Sequence, residues 1–170
     1  AGAAEYLRSG DPLPEATWEA CRNCDAILLG AMGMPDIRWP DGREMAPQLD
    51  LRERLGLYAG VRPIRLYHES HTPLKGYGAG DIDLVIFRES TEGLFFSRQG
   101  GVPAPEGEVR DILKISRATS EKLFRSAFQW ARTRRGLLTL VDKENVLPSM
   151  VFFRKIFDEV AEELPGVHAE

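Results

Sequence analysis

From Glu15 onward the apolar positions Trp18 and Cys21 fall three apart, which places them on one face of a helix entered through Pro12 and Pro14. The period then breaks into a continuous apolar run at 26–29, closed by Gly30. That change predicts a helix followed by a buried strand. Residues 30–42 are rich in glycine and proline and predict a long loop at the strand's C-terminal end, where open α/β sheets carry their sites. Leu51, Leu55 and Tyr58 recur at helical spacing over 49–58, with Arg52, Glu53 and Arg54 between them, so a short amphipathic helix is expected there.

Residues 61–67 alternate apolar and basic side chains around Pro63, the pattern of a strand near a sheet edge. The run 83–87 is a second strand, with 88–93 as its polar exit. Phe95, Phe96, Gly100 and Gly101 lie in a stretch, 93–107, that reads as an extended arm or hairpin. An exposed aromatic pair there would favour a partner surface. A strand is expected over 111–116, then a helix capped by Thr119 or Ser120 that carries Leu123, Phe124, Ala127, Phe128 and Ala131 and stops at Gly136. A buried strand at 137–141 exits through Asp142-Lys-Glu-Asn145. The last helix turns Val151, Phe153, Ile156, Phe157, Val160 and Leu164 inward and ends at Pro165-Gly166. Helices and strands alternate without internal repeats, which predicts an α/β fold with open sheets and functional groups at strand ends.

Composition narrows the function classes. At 170 residues, 43% hydrophobic and 28% charged, the chain can bury one core shared between two small lobes. A net charge of -4 gives no general attraction to nucleic acid or anionic lipid, so an anion site must be a local cluster of basic side chains. No stretch approaches the roughly 20 apolar residues of a membrane span, and the first residues carry no signal-peptide pattern, so a cytoplasmic protein is expected. The absent initiator Met and the abrupt end after Glu170 suggest a longer chain cut at both ends. Cys21 and Cys24 lack a second ligand pair for zinc, and their position late in a helical stretch favours packing over redox chemistry.

Arginine cannot shed its charge, so Arg52, Arg62 and Arg88 beside apolar runs raise the question of what anion meets them. Each could hold a carboxylate through a bidentate pair; taken singly, each more often serves a surface ion pair. Lys143 at a strand exit could transfer a proton, although Asp142 and Glu144 beside it would favour its charged form if they stayed close.

Four segments bear on that choice. Asp-Ala-Ile-Leu-Leu-Gly-Ala at 25–31, Leu-Arg-Glu-Arg-Leu-Gly-Leu-Tyr-Ala-Gly-Val-Arg-Pro at 51–63, Asp-Leu-Val-Ile-Phe-Arg-Glu-Ser-Thr-Glu-Gly at 83–93 and Val-Asp-Lys-Glu-Asn-Val-Leu at 141–147 occur in this order. Together they resemble the β-decarboxylating dehydrogenases, the isocitrate/isopropylmalate dehydrogenase family, over essentially the whole chain. The resemblance implies an isopropylmalate dehydrogenase-like fold, partial here, with parts of two open-sheet α/β domains and a dimer arm. Residues 1–58 would belong to the nucleotide-side domain and 59–170 to the smaller substrate and dimerisation domain, with the arm near 93–110.

In function it implies oxidation of a small 2-hydroxy dicarboxylic acid by NAD, with NADP as the alternative, assisted by Mg or Mn and followed by decarboxylation. Arg52, Arg62 and Arg88 match the carboxylate clamp, Lys143 the lysine that takes the hydroxyl proton, and Asn145 a residue beside substrate and nicotinamide. That lysine serves the other subunit's site in the family, so a homodimer is implied. Two departures stand out. Phe95 occupies the position of the family's acid, usually a tyrosine, so water or a hydroxyl such as Ser97 would have to replace it, or the reaction would end at oxidation. The metal-binding aspartates, the glycine-rich opening strand and the adenosine loop are expected outside these residues, which alone should be inactive. Ala46, Gln48 and Asp50 favour a tartrate- or malate-like acid, with 3-isopropylmalate as the alternative. A non-catalytic dimerisation or anion-binding fragment is the rival from another class.

Overall fold

Residues 1–98 and 100–170 are described by the computed structural model, and the chain divides into two units, Ala1–Leu57 and Tyr58–Glu170. In the first, helix α1 spans Ala3–Ser9, α2 Glu15–Arg22 and α3 Pro47–Arg54. The Pro14 carbonyl accepts the Thr17 and Trp18 N–H groups and so starts α2. Trp18 then joins Leu13 and Leu51 in a small core flanked by Cys21 and Leu55. Arg54 lays its guanidinium 3.7 Å above the Trp18 ring, covering apolar surface while its charge stays exposed. Cys21 is half-buried and Cys24 exposed beyond the helix end; both are free thiols.

Helix α3 begins at Pro47, whose fixed φ and missing N–H suit a first helical position. It ends earlier than the periodicity predicts. Gly56 turns left-handed at φ 62°, and the Leu57 N–H returns to the Arg52 carbonyl, so the chain leaves the helix before Tyr58. The strand expected over 26–29 does not form: among the described residues no segment pairs with it, and Leu28 is 100% exposed. An apolar run becomes a strand only when a neighbour takes its backbone hydrogen bonds.

In the second unit, strand β1 (Ala59–Arg65) pairs antiparallel with β2 (Asp83–Glu89). Helix α4 spans Arg117–Arg132, β3 Leu137–Leu138, α5 Pro148–Glu163 and β4 His168–Ala169. Ser116, rather than Thr119 or Ser120, caps α4, its Oγ accepting the Thr119 N–H; Ser120 is buried and donates back to the Ser116 carbonyl. Leu123, Phe124, Ala127, Phe128 and Ala131 are all buried along α4, as their spacing predicts. Leu123, Phe124 and Phe128 meet Ile156, Phe157 and Val160 of α5 in the main core. The Phe124 and Phe128 rings lie 5.3 and 5.4 Å from that of Phe157. Arg117 and Arg125 of α4 pair with Glu159 and Glu163 of α5. Val151 is exposed instead of inward, because the buried stripe runs through Phe153, Ile156, Phe157 and Val160.

The Gly136 N–H closes α4 on the Ala131 carbonyl, and the chain enters β3, which pairs parallel with β4 across the α5 connection. Only Leu137 and Leu138 of the strand expected at 137–141 belong to a ladder. Val141 is 86% exposed, with no neighbouring strand among the described residues. Likewise 111–116 forms a single bridge, Gly93 to Lys114, rather than a strand. The arm is a loose hairpin closed by the Val102–Arg110 bridge and begun by a tight helical turn, Leu94–Ser97; Gln99 of that arm lies outside the described residues.

Candidate anion face and lysine turn

In the β1–β2 register Gly60 faces Arg88, Arg62 faces Ile86 and Ile64 faces Leu84. Because side chains alternate along a strand, these six project from one face, and residues 59, 61, 63 and 65 project from the other with their partners. The second face meets α4: Phe87 stacks edge-on against Trp130, with ring centroids 5.6 Å apart, and Ala59 packs on the main core. Asp83, at the start of β2, receives Arg134, which holds its carboxyl below the usual range. The first face is therefore the outward one, and Arg62 and Arg88 are exposed on it. They are diagonal neighbours, a relation that sets Cα atoms about 7–8 Å apart. Neither has a carboxylate partner among the described residues.

Arg88 is the last outward residue before a turn built from its own carboxylates. Glu89 accepts the Thr91 N–H and hydroxyl and the Glu92 N–H, at 2.6, 2.6 and 2.7 Å. Ser90 is buried beside Gly60 and donates to the Arg88 carbonyl; a Cβ at Gly60 would come within 2.7 Å of its oxygen, so a larger residue there would have to displace the Ser90 hydroxyl. Glu92 accepts the Ser116 N–H and Oγ–H at 2.8 Å each, and Lys114 lies 3.4 Å away. Beyond this turn the Phe95 ring sits 5.1 Å from the Arg88 guanidinium. Phe96 is exposed, with Lys114 over it. Arg88, Glu92, Phe95 and Lys114 line a cavity of about 820 Å³ whose apolar walls include Phe124 and Phe153.

Burial pushes the Glu92 carboxyl up, but the Ser116 hydrogen bonds and Lys114 outweigh it and hold the group below its ordinary 4.5. A carboxyl depressed by folding stabilises the folded state above its unfolded pKa, and that contribution is lost as pH falls below 4.5 through the folded value. Glu92→Gln should therefore cost about 1–3 kcal/mol at pH 7, with the difference from the parent shrinking toward pH 3. Urea midpoints at the two pH values check it; an unchanged difference would assign the loss to packing.

Arg52 lies on α3 in the first unit, half-buried and without an ion pair among the described residues. The Gln48 amide oxygen is buried and has no hydrogen-bond donor among the described residues. Lys143 and Asn145 are exposed on the turn between β3 and α5. Val146 and Leu147 donate their N–H groups to the Lys143 carbonyl, and Glu144 donates its N–H to Asp142 Oδ1. Both acids turn to one guanidinium: Arg154 Nε is 2.8 Å from Asp142 and 3.3 Å from Glu144. The sequence reading missed Arg154 and Glu92. Arg154 lies within a helix whose pattern shows only that it faces away from the core, although Glu92 stands in a segment already singled out.

The described residues contain no group of three His, Cys, Asp or Glu side chains able to hold a metal ion, and no helix long and apolar enough to cross a membrane.

Residues 1–170 match the family model described as isocitrate/isopropylmalate dehydrogenase. A 3-isopropylmalate dehydrogenase of Heyndrickxia coagulans is 42% identical over 173 residues, covering 98% of this chain and 47% of the relative. Another from Bacillus subtilis is 38% identical over 178 residues, with 99% and 48% covered. Among solved structures, isocitrate dehydrogenase from Methylococcus capsulatus has a TM-score of 0.73 at 30% identity, over 99% of this chain and 48% of that one. A β-decarboxylating dehydrogenase from Thermococcus kodakarensis gives 0.72 at 34%, over 99% and 46%. The chain thus spans about half the length of the curated relatives it matches.

Proposed function

Because the chain belongs to the isocitrate/isopropylmalate dehydrogenase family, whose members use NAD and a divalent metal, we propose that the protein oxidises 3-isopropylmalate with NAD. One observation carries this reading: the strand register sets Arg62 and Arg88 on a single outward face, with no carboxylate partner for either among the described residues. Two guanidiniums so placed suit the carboxylates of a dicarboxylic acid. Arg52, on α3 of the first unit, is the third residue that the family resemblance matches to the clamp. The tartrate- or malate-like acid expected from Ala46, Gln48 and Asp50 loses ground, since the relatives are named for 3-isopropylmalate.

In the reaction, the arginines orient the acid, and Lys143 Nζ accepts the proton of the hydroxyl at C2. NAD supplies the hydride acceptor, and NADP is the alternative; Asn145, on the same exposed turn as Lys143, would contact it. The described residues do not fit the family's Mg or Mn, and no step assigned to them runs through it. Decarboxylation then needs a proton for the enolate carbon. Phe95 has none to give, and the Ser97 hydroxyl is buried between the Ile112 N–H and carbonyl, which leaves water as the donor. The protein acts as a homodimer, with Lys143 serving the partner's site and the arm at 93–110 as the clasp. Exposure of Phe96 and Val109 supports the clasp.

Rates of NADH formation by the full-length protein test the substrate. Its kcat/KM for 3-isopropylmalate should exceed those for tartrate and malate by about 10-fold or more, the margin an aliphatic pocket can supply. Preference for either small acid would reverse the assignment. Carbon dioxide released in equal amount to NADH would establish that decarboxylation follows oxidation although Phe95 stands in the acid's position.

A further inference from the structure

Lys143 sits between two acids, a setting that should tie up its ammonium, yet the structure turns both acids elsewhere. Asp142, with its side chain 5% exposed, meets Arg154 Nε at 2.8 Å through Oδ2. Its other oxygen, Oδ1, accepts the Glu144 N–H at 3.1 Å. The Glu144 carboxylate approaches the same Nε at 3.3 Å. Lys143 itself is exposed, has no ion pair among the described residues, and accepts two N–H groups at its carbonyl. The turn is thus pinned from α5 through its acids and braced through its backbone, and the lysine head is left without an ion pair among the described residues.

We propose that Arg154 is a positioning residue for Lys143: by drawing Asp142 and Glu144 onto α5 it fixes the turn and keeps both carboxylates from pairing with the lysine. This rests on the reading of Lys143 as the proton acceptor. Without Arg154, Asp142 would be a nearly buried carboxylate lacking its cation, and the nearest replacement in sequence is Lys143. The lysine would then be drawn back along its own turn. An Asp142→Asn change removes that attraction but keeps an oxygen for the Glu144 N–H.

The test uses full-length protein and follows NADH formation from 3-isopropylmalate in the parent, Arg154→Met, Arg154→Lys, Asp142→Asn/Arg154→Met and Lys143→Met. Folding is checked by circular dichroism and the urea midpoint. Arg154→Met should lower kcat by about 10- to 100-fold, the scale of a misplaced reacting group, with a much smaller change in KM. The double variant should recover most of that loss, and Arg154→Lys part of it. Should Arg154→Met fail to fold, the Arg154→Lys variant decides by the same comparison of kcat with KM. The inference is overturned if folded Arg154 variants keep the parental kcat while Lys143→Met is inactive. It is also overturned if the double variant stays as slow as Arg154→Met, since packing rather than charge would then explain the loss. A fully active Lys143→Met would instead overturn the reading beneath it, and the inference with it. The Lys143→Met arm thus tells the two failures apart.

Discussion

Replacing Lys143 by Met in the full-length protein should lower kcat for 3-isopropylmalate oxidation by about 100- to 10,000-fold, the range one positioned acid or base contributes. Methionine keeps much of the side chain's length and removes the nitrogen, so the effect isolates proton transfer from the hydroxyl. The lysine does not hold the carboxylates in this reading, and KM should move far less than kcat. The structure supports a small effect on stability, because the side chain is exposed and the turn is held by backbone hydrogen bonds and by Arg154. Steady-state rates across pH 6–10 would measure it. A variant within about 3-fold of the parent at every pH would remove Lys143 from the chemistry, since even a weak acid-base role exceeds that. Mixing this variant with Arg88→Met subunits tests the dimer: if the lysine serves the partner's site, hybrids regain activity that neither parent variant has.

Phe128→Ala should cost about 3–5 kcal/mol, the largest expected loss of stability from one side chain in the second unit. Phe128 is fully buried, and its ring packs against Phe157 at 5.4 Å between α4 and α5. The change removes a whole ring from a close-packed site and leaves a cavity that the two helices can only partly fill. Anchoring of β1 and β2 would weaken too, because α4 also holds Phe87 through Trp130 and Tyr58 through Ser126. A urea midpoint lowered in proportion, with Phe128→Leu losing clearly less, would agree with this account. A loss below about 1 kcal/mol would mean the site collapses without penalty, contrary to the usual behaviour of large-to-small core changes.

Helices α2, α4 and α5 were legible because an α-helix satisfies its own backbone hydrogen bonds, so the period of its apolar residues is enough to announce it, whereas the short α1 at Ala3–Ser9 carries too few apolar positions to show a period and was not anticipated. The buried stripe from Leu123 to Ala131 and the inward positions Ile156, Phe157 and Val160 follow from spacing alone. Strands behaved differently. Residues 83–89 pair with 59–65, whereas the equally apolar 26–29 stays unpaired and 137–141 joins a ladder only at its first two residues. Apolar runs state a preference for burial, and a strand needs a neighbour that the run itself cannot supply.

The candidate site divides in the same way. By itself, the sequence determined the residue types and the four ordered segments that point to the family, among them Arg62, Arg88 and Lys143. Tertiary structure decided that Arg62 and Arg88, 26 positions apart in the numbering, share an outward face, because cross-strand register rather than sequence distance sets which side chains meet. It also decided the surroundings of Lys143. Asp142 and Glu144 are its neighbours in sequence, yet their charges are taken by Arg154 from the next helix. A linear string records adjacency along the backbone, whereas Coulomb attraction and hydrogen bonding act through space and select partners only once the helix has packed.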